Sequence, residues 1–350
     1  MKVATRNVNG VRAQLPAAFR PQFATLAKHS PEGDRWLHEL KYDGYRIGCR
    51  IDGQDVRLIS RNSKDWTAGF PEVCEAAARL PVQRAFLDGE VAVLLPDGRT
   101  SFQALQNVIG SRPPRDLVYF VFDLLYLDGE DIARLPLAER KARLKRLIEA
   151  LGGESLIRYA DHVVGRGPEF LRRACRHGLE GIVSKRRDMP YVAGRNEYWL
   201  KAKCTRRQEF VIGGFTDPEG SRAGIGALLL GVHDHAGALV FAGKVGTGFT
   251  QKSAQEMRRR LDALEQKECP FGARPPGSLG RNAHWVKPTL VAEVAFSEWT
   301  HDGRIRQPSF QGLRTDKSAS EIRREEAAAA YARSRTKGLA RNSFTFREQD

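Results

Sequence analysis

Cysteine is scarce in this chain and nowhere clustered: the five residues, Cys49, Cys74, Cys175, Cys204 and Cys269, are odd in number and never form a C-x-x-C pair. Neither a disulfide framework nor a structural zinc site is expected from that spacing, and a reducing cytoplasm suits it best. Long apolar runs are missing as well. No stretch reaches the ~18 residues of a membrane span, and the opening MKVATRNVNGVRAQLPAAF has no continuous apolar segment like that of a secretory signal. A soluble, intracellular protein with no membrane partner is expected. Negative charge is also short, with 42 Asp plus Glu against 57 Lys plus Arg and a formal net charge of +15. That excess makes a polyanion the first partner to consider, nucleic acid foremost. At 28% charged and 41% hydrophobic, the 350 residues read as one large or two ordinary globular domains rather than a disordered basic tail.

Periodicity divides the chain. Residues 1–29 carry few signals and are expected to form an arm with a short helix. From Trp36, WLHELKYDGYRIGCRIDG and DVRLIS look like two strands joined at the Asp52-Gly53 turn, and FPEVCEAAARL has helical spacing. FLDGEVAVLLPDG follows as a strand, and the almost wholly apolar LVYFVFDLLYLDG, residues 117–129, as a strand buried on both faces. LAERKARLKRLIEALG and PEFLRRACRHG read as helices stopped by glycine, and EGIVSKR and YWLKAK as strands. After Arg207 the texture becomes β-rich, with short strands, Gly-rich turns and one helix in QKSAQEMRRRLDALEQK, the pattern of a small Greek-key barrel such as an OB-fold. The boundary is expected within the basic KAKCTRRQ, which gives domains 30–205 and 206–318. Residues 319–350, with the Ala run at 327–330, are helix-prone but lack an apolar face, so a basic, solvated and mobile tail is expected.

K-x-D-G at Lys41–Gly44 is weak as a bare pattern, recurring by chance in about one chain in ten of this length. Its order and company make it specific: D-G-E at 88–90, F-D at 122–123, E-G-I-V-S-K at 180–185, W-L-K-A-K at 199–203 and G-L-R-T-D-K at 312–317, most at strands or strand ends. This series resembles the motifs of the covalent nucleotidyltransferases, the superfamily of ATP-dependent DNA ligases, RNA ligases and mRNA capping enzymes. Within it, the neighbouring text, such as GLEGIVSKRRDMPYVAGRNEYWLKAKC and FSEWTHDGRIRQPSFQGLRTDK, looks like the ligase domain of bacterial ligase D, an enzyme of non-homologous end joining. The likeness covers roughly residues 30–320. It implies an α+β adenylation domain of antiparallel sheets with flanking helices, followed by an OB-fold barrel.

The resemblance also assigns roles. Lys41 is implied as the nucleophile that takes AMP from ATP as a lysyl phosphoramidate. An ordinary lysine, with a pKa near ~10.4, is protonated at neutral pH, so nearby cations, a divalent metal with Lys185, Lys201 and Lys203, are expected to depress it. Phe122 is implied as the adenine-stacking face, although read alone it is as easily a core residue. Glu39 resembles the acceptor of the adenine amine, with a solvated strand glutamate as the alternative, and Arg46 and Glu90 resemble ribose contacts. Arg195, Lys201 and Lys203 match the basic positions that face the phosphates. Glu180 resembles the ligand of Mg²⁺ or Mn²⁺, with Asp43 assisting through water; a structural salt bridge is the alternative for both, more so for Asp43. Arg314, Asp316 and Lys317 resemble the motif that closes over ATP to orient pyrophosphate and then swings away. Arg61 resembles the contact to the DNA 5′-phosphate, or is a turn arginine.

The expectation is therefore an ATP-dependent DNA ligase that uses ATP and Mg²⁺ or Mn²⁺ on nicked or broken double-stranded DNA, a monomer working near the nucleoid. The rivals are an RNA ligase, a GTP-using capping enzyme and a non-catalytic OB protein that keeps a decayed nucleotidyltransferase domain. A Ku-type end-binding protein is implied by family likeness only. Polymerase and phosphoesterase domains do not fit within 350 residues, so they are expected as separate proteins or as other parts of a larger chain.

Overall fold

The computed structural model describes residues 10–108, 116–152, 155–204, 206–218 and 223–326. The expected Ala-rich stretch at 327–330 and the rest of the tail beyond Glu326 lie outside the described residues, as do the first nine. Two sheets occupy the chain up to Lys203 and a third begins at Arg206.

The first sheet centres on Leu117–Leu127, which pairs with Arg84–Val93, followed outward by Tyr45–Asp52 and Asp55–Ser60. Leu117–Leu127 is buried along nearly its whole length, as its almost wholly apolar run predicts. The helices Pro71–Ala77 and Leu137–Glu149 close one face of the sheet, so that Val73, Leu144 and Ile148 join Ile47, Leu87 and Val121 in one core. The second sheet runs His162–Gly165, Gly33–Leu40, Gly181–Arg186, Gly194–Lys203 and Gln22–Leu26. The described part of the N-terminal arm, from residue 10, supplies two strands, Val11–Arg12 and Gln22–Leu26, where a short helix was expected. Gln22–Leu26 pairs in parallel with Gly194–Lys203, whose free edge offers the hydrogen bonds that the arm cannot make alone.

One expected strand is in fact two. Gly33–Leu40 belongs to the second sheet and Tyr45–Asp52 to the first, so Lys41–Gly44 forms the crossing between them. Gly44 allows the crossing: a Cβ there would sit 2.1 Å from the Val91 carbonyl oxygen.

In the third sheet the long strand Arg206–Thr216 pairs with Ala227–His233 on one side and with Val291–Phe296 on the other, and Ser309–Leu313 adds to the latter. No ladder closes Leu239–Val245 onto Ser309–Leu313 among the described residues, but the Phe310 N–H donates to the Thr247 carbonyl at 2.9 Å, curling the sheet into an OB-type domain. The helix Gln251–Asp262, capped reciprocally by Thr250 and Ser253, lays Ala254, Met257 and Leu261 on its core. Residues 318–326 are not a solvated tail. Ile322 is buried in that core, and its carbonyl accepts from the His233 N–H at 2.8 Å. A single apolar anchor holds the segment, which a search for an apolar helix face cannot register.

Two cysteines that are 29 apart in sequence are bonded to each other, Cys175 on the helix Gly167–Arg176 and Cys204 after Gly194–Lys203. The helix packs beside this sheet and brings the two Cα atoms to 5.1 Å, within disulfide reach. The expectation of no disulfide is corrected on that account. Among the described residues, no helix is long and apolar enough to cross a membrane.

Candidate active site

Every residue singled out above for chemistry lines one cavity of about 650 Å³ between the sheets and the OB-type domain. Glycine builds its walls. A Cβ at Gly89 in D-G-E would meet the Tyr119 ring at 2.5 Å, and one at Gly181 in E-G-I-V would meet the Ala202 carbonyl at 2.2 Å, so both motifs need a bare backbone to keep neighbouring strands in place.

Lys41 stands on the crossing between sheets, its N–H donating to the Gly181 carbonyl at 3.0 Å. Its ammonium lies 2.6 Å from a Glu180 oxygen. Burial alone would lower its pKa, but Glu180, helped by Glu90 and Asp43, holds it above the ordinary lysine value. Among side chains, the immediate partners of Lys41 are thus carboxylates and not the expected Lys185, Lys201 and Lys203. Glu180 opposes its own burial through Lys41 and Lys203 and stays below the usual carboxylate range.

Asp43 accepts from Arg207 at 3.0 Å and from the Phe102 N–H at 3.3 Å, so the salt-bridge alternative describes its present contacts. Burial and Glu180 still push its pKa up, burial pushes Glu293 up, and burial takes Glu90 to about 7. Charges of both signs thus crowd one cavity, with Asp43, Glu90, Glu180 and Glu293 beside Lys41, Lys201, Lys203 and Arg314. No three His, Cys, Asp or Glu side chains converge as a ready metal site among the described residues.

Glu39 is not a solvated strand glutamate. It is 2% exposed, and its two oxygens face Lys141 and Lys185 at 2.5 and 2.6 Å. The Lys185 ammonium also lies between two rings, 4.1 Å from the centre of Phe122 and 4.0 Å from that of Trp199. Phe122 itself is half-buried and faces the cavity. Asp123, next to it, turns away and takes a two-pronged contact from Arg140 at 2.7 and 2.8 Å, both side chains fully buried. Arg46 forks onto the buried Asp88 at 3.0 and 2.6 Å and donates to the Gln22 carbonyl at 2.6 Å. Arg195 sits at the exposed rim, bonded to the Ala24 carbonyl. Arg61 contacts Glu321 at 3.3 Å, while its buried Nε has no partner.

The OB-type domain reaches into the same cavity. Arg314 forks onto Asp316 at 2.8 Å, pairs with Glu293 at 3.0 Å and lies 4.2 Å over the Phe102 ring. Lys317 pairs with Glu209. Cross-domain hydrogen bonds from Asn62 to the Asp316 carbonyl (2.8 Å) and between the Tyr45 and Thr315 hydroxyls (3.0 Å) dock this loop. Lys201 and Lys203 share one partner, Glu325, at 2.5 and 2.9 Å.

The sequence reading passed over Lys141 and Glu325. Lys141 carried a signal, since Leu137, Arg140, Lys141, Leu144, Leu147 and Ile148 form one inward helical face with two cations on it. Glu325 carried none.

With this geometry in view, two family models match: "ATP dependent DNA ligase domain" over residues 17–203 and "ATP dependent DNA ligase C terminal region" over 221–317. The chain belongs to the ATP-dependent DNA ligase family. Among its relatives, the multifunctional non-homologous end joining protein LigD of Pseudomonas aeruginosa is 42% identical over 327 residues, 93% of this chain and 39% of that protein. The corresponding DNA repair protein of Mycobacterium tuberculosis is 40% identical over 296 residues, 84% of this chain and 38% of that one. The chain thus spans about two fifths of the length of these curated relatives. A solved structure of mycobacterial DNA ligase D complexed with ATP and MES aligns with a TM-score of 0.65 and 37% identity, covering 87% of this chain and 98% of that one. In this ligase-family chain the family match spans both the sheets that carry Lys41 and the domain that carries Arg314.

Proposed function

We propose that this chain is the catalytic core of a DNA ligase that seals 5′-phosphate/3′-hydroxyl breaks through a lysyl-AMP intermediate, in double-strand break repair by end joining. The single observation that carries the reading is Lys41: one lysine at the crossing of two sheets, in a cavity that Lys185, Lys201, Lys203 and Lys317 also line. Its Nζ forms a bond to the α-phosphorus of ATP as the bond to pyrophosphate breaks. AMP then passes to the DNA 5′-phosphate, and the 3′-hydroxyl displaces it.

The side chains support each step. Glu180, 2.6 Å from Nζ, is the nearest acceptor for the proton that Lys41 must lose. Phe122 offers a face to the base, Glu39 an acceptor to its amine, and Glu90 and Arg46 polar contacts to the ribose. Lys201, Lys203, Arg195 and Lys317 offset phosphate charge, and Arg314 with Asp316 holds the OB-type domain over the site. Arg61 meets the DNA 5′-phosphate. Glu180 and Asp43, two carboxylates of one cavity close enough that Glu180 helps raise the Asp43 pKa, offer the hard oxygen donors that fit Mg²⁺ or Mn²⁺, which would supply charge neutralisation at phosphorus. Glu325 stands on the lysines that the triphosphate needs, so ATP must displace it. The change of sheet between Gly194–Lys203 and Arg206–Thr216 supports a hinge there, on which the OB-type domain would open to admit DNA.

Incubation with [α-³²P]ATP and Mg²⁺ or Mn²⁺ tests the reading: wild type forms a labelled covalent adduct and Lys41→Ala does not. A wild type without adduct, or an adduct that survives in Lys41→Ala, refutes it. Competition with GTP, and nicked duplexes with DNA or RNA strands, separate DNA ligation from capping and RNA ligation. A Ku partner and separate polymerase or phosphoesterase proteins follow from the end-joining reading and are tested by joining double-strand ends with and without Ku.

A further inference from the structure

We propose that Lys141 is a positioning residue that fixes Glu39 as a base-reading acceptor and thereby sets the preference for adenine over guanine. The inference rests on the proposed role of Glu39. It starts from the division of the Glu39 carboxylate between two cations of different kinds.

Lys141 approaches from outside the ATP cavity. It projects from the helix Leu137–Glu149, is 1% exposed, and donates to Glu39 Oε1 at 2.5 Å and to the Ala160 carbonyl at 2.7 Å, with the Tyr159 ring 4.3 Å from its ammonium. Three fixed contacts leave it no freedom to follow a ligand. Lys185 approaches Oε2 from within the cavity at 2.6 Å, yet its ammonium finds no aligned hydrogen-bond partner and rests between the Phe122 and Trp199 rings. Glu39 and Lys185 line the ATP cavity, whereas Lys141 lines a separate one behind it.

Lys141 is thus the permanent partner and Lys185 the exchangeable one. When phosphates draw Lys185 away, Oε2 is left facing the base while Oε1 stays pinned. The 6-amino group of adenine donates to that oxygen. Guanine presents a carbonyl oxygen at the same position, and two acceptors repel. Discrimination therefore needs Glu39 to remain an anion with Oε2 turned to the base, and both conditions depend on the cation behind it. Without Lys141, a buried carboxylate either turns fully to Lys185 or takes up a proton and becomes a donor that tolerates guanine.

The test is lysyl-nucleotide formation with ATP and GTP, reading kcat and KM separately. Lys141→Met is expected to raise KM for ATP and narrow the ATP-to-GTP preference in kcat/KM by about tenfold or more, with kcat changed by much less, and Lys141→Arg to restore the preference. Glu39→Gln is measured alongside. If Glu39→Gln loses the preference and Lys141→Met keeps it, Lys141 is only structural and the proposal is overturned. If Glu39→Gln also keeps it, the reading of Glu39 itself has failed. Should Lys141→Met not fold, Lys141→Gln, which retains a donor for the Ala160 carbonyl but no charge, decides: an unchanged preference overturns the proposal and a narrowed one supports it.

Discussion

Replacing Glu325 by alanine should strengthen ATP binding, the reverse of what truncating a residue in an active-site cavity usually does. The Glu325 carboxylate bridges Lys201 at 2.5 Å and Lys203 at 2.9 Å, and the three side chains are only 23%, 15% and 12% exposed. The Glu325 N–H is itself held by the buried Gln208 at 3.1 Å. ATP cannot place phosphate on either lysine without breaking these contacts. A hydrogen bond to a charged group contributes about 1.5–3 kcal/mol net. Since both pairs keep some contact with solvent, we take the lost competitor as equivalent to one such bond rather than two. That converts to roughly a 10- to 150-fold gain in ATP affinity.

The pH dependence sharpens this expectation. Burial pushes Lys201 down to about 8, with Lys203 and Lys41 adding to the fall, and Glu325 is the partner that opposes it. In Glu325→Ala that support is gone, so Lys201 loses its proton at lower pH and the gain in ATP affinity should shrink as pH rises from 6.5 to 8. The assay is ATP-dependent lysyl-AMP formation without DNA, titrated in ATP at both pH values, with Glu325→Gln expected between wild type and alanine. A KM for ATP that is unchanged or higher in Glu325→Ala at pH 6.5 would refute the reasoning, since it would mean the triphosphate does not use Lys201 and Lys203.

Three further outcomes concern stability. His38, fully buried against Ser184 and lowered by burial to about 4, binds its proton only in the unfolded chain between that value and 6.5, so it costs stability as pH falls through this window, up to about 3 kcal/mol; His38→Gln should flatten the acid limb of a melting-temperature profile, and an unchanged slope would count against it. Glu90 has the opposite sign: raised by burial from 4.5 to about 7, it holds its proton better in the folded chain, so wild type should lose stability relative to Glu90→Gln as pH climbs through that interval, and a constant difference in melting temperature would contradict this. Opening the Cys175–Cys204 bond, 29 residues apart, should cost about 3–4 kcal/mol on chain-entropy grounds; dithiothreitol and Cys204→Ser should lower the melting temperature equally, and wild type indifferent to reductant would exclude the bond in solution.

What the sequence made readable and what it hid differ in kind. Leu117–Leu127 declared itself because a run of apolar side chains has one stable location, and Lys41, Glu180, Lys201 and Arg314 declared themselves by order along the chain. The burial of Glu39 did not. It depends on Lys141, 102 residues away, and a strand glutamate reads as exposed until its partner is known. The crossing at Lys41–Gly44 was hidden for a related reason: the close approach of the Val91 carbonyl to Gly44, which marks the change of sheet, joins residues distant in sequence. Glu325 was the least readable, since its segment buries only Ile322 and is otherwise placed by polar contacts such as those of Gln208, Lys201 and Lys203. Glu39 and Glu325, both on the wall of the cavity proposed to take ATP, share a further cause: each pairs with a lysine more than a hundred residues away in sequence. Local pattern therefore recovers the scaffold and the proposed nucleophile, while the pairings on which the proposed selectivity rests, Lys141–Glu39 and Lys201–Glu325, are created only by the folded chain.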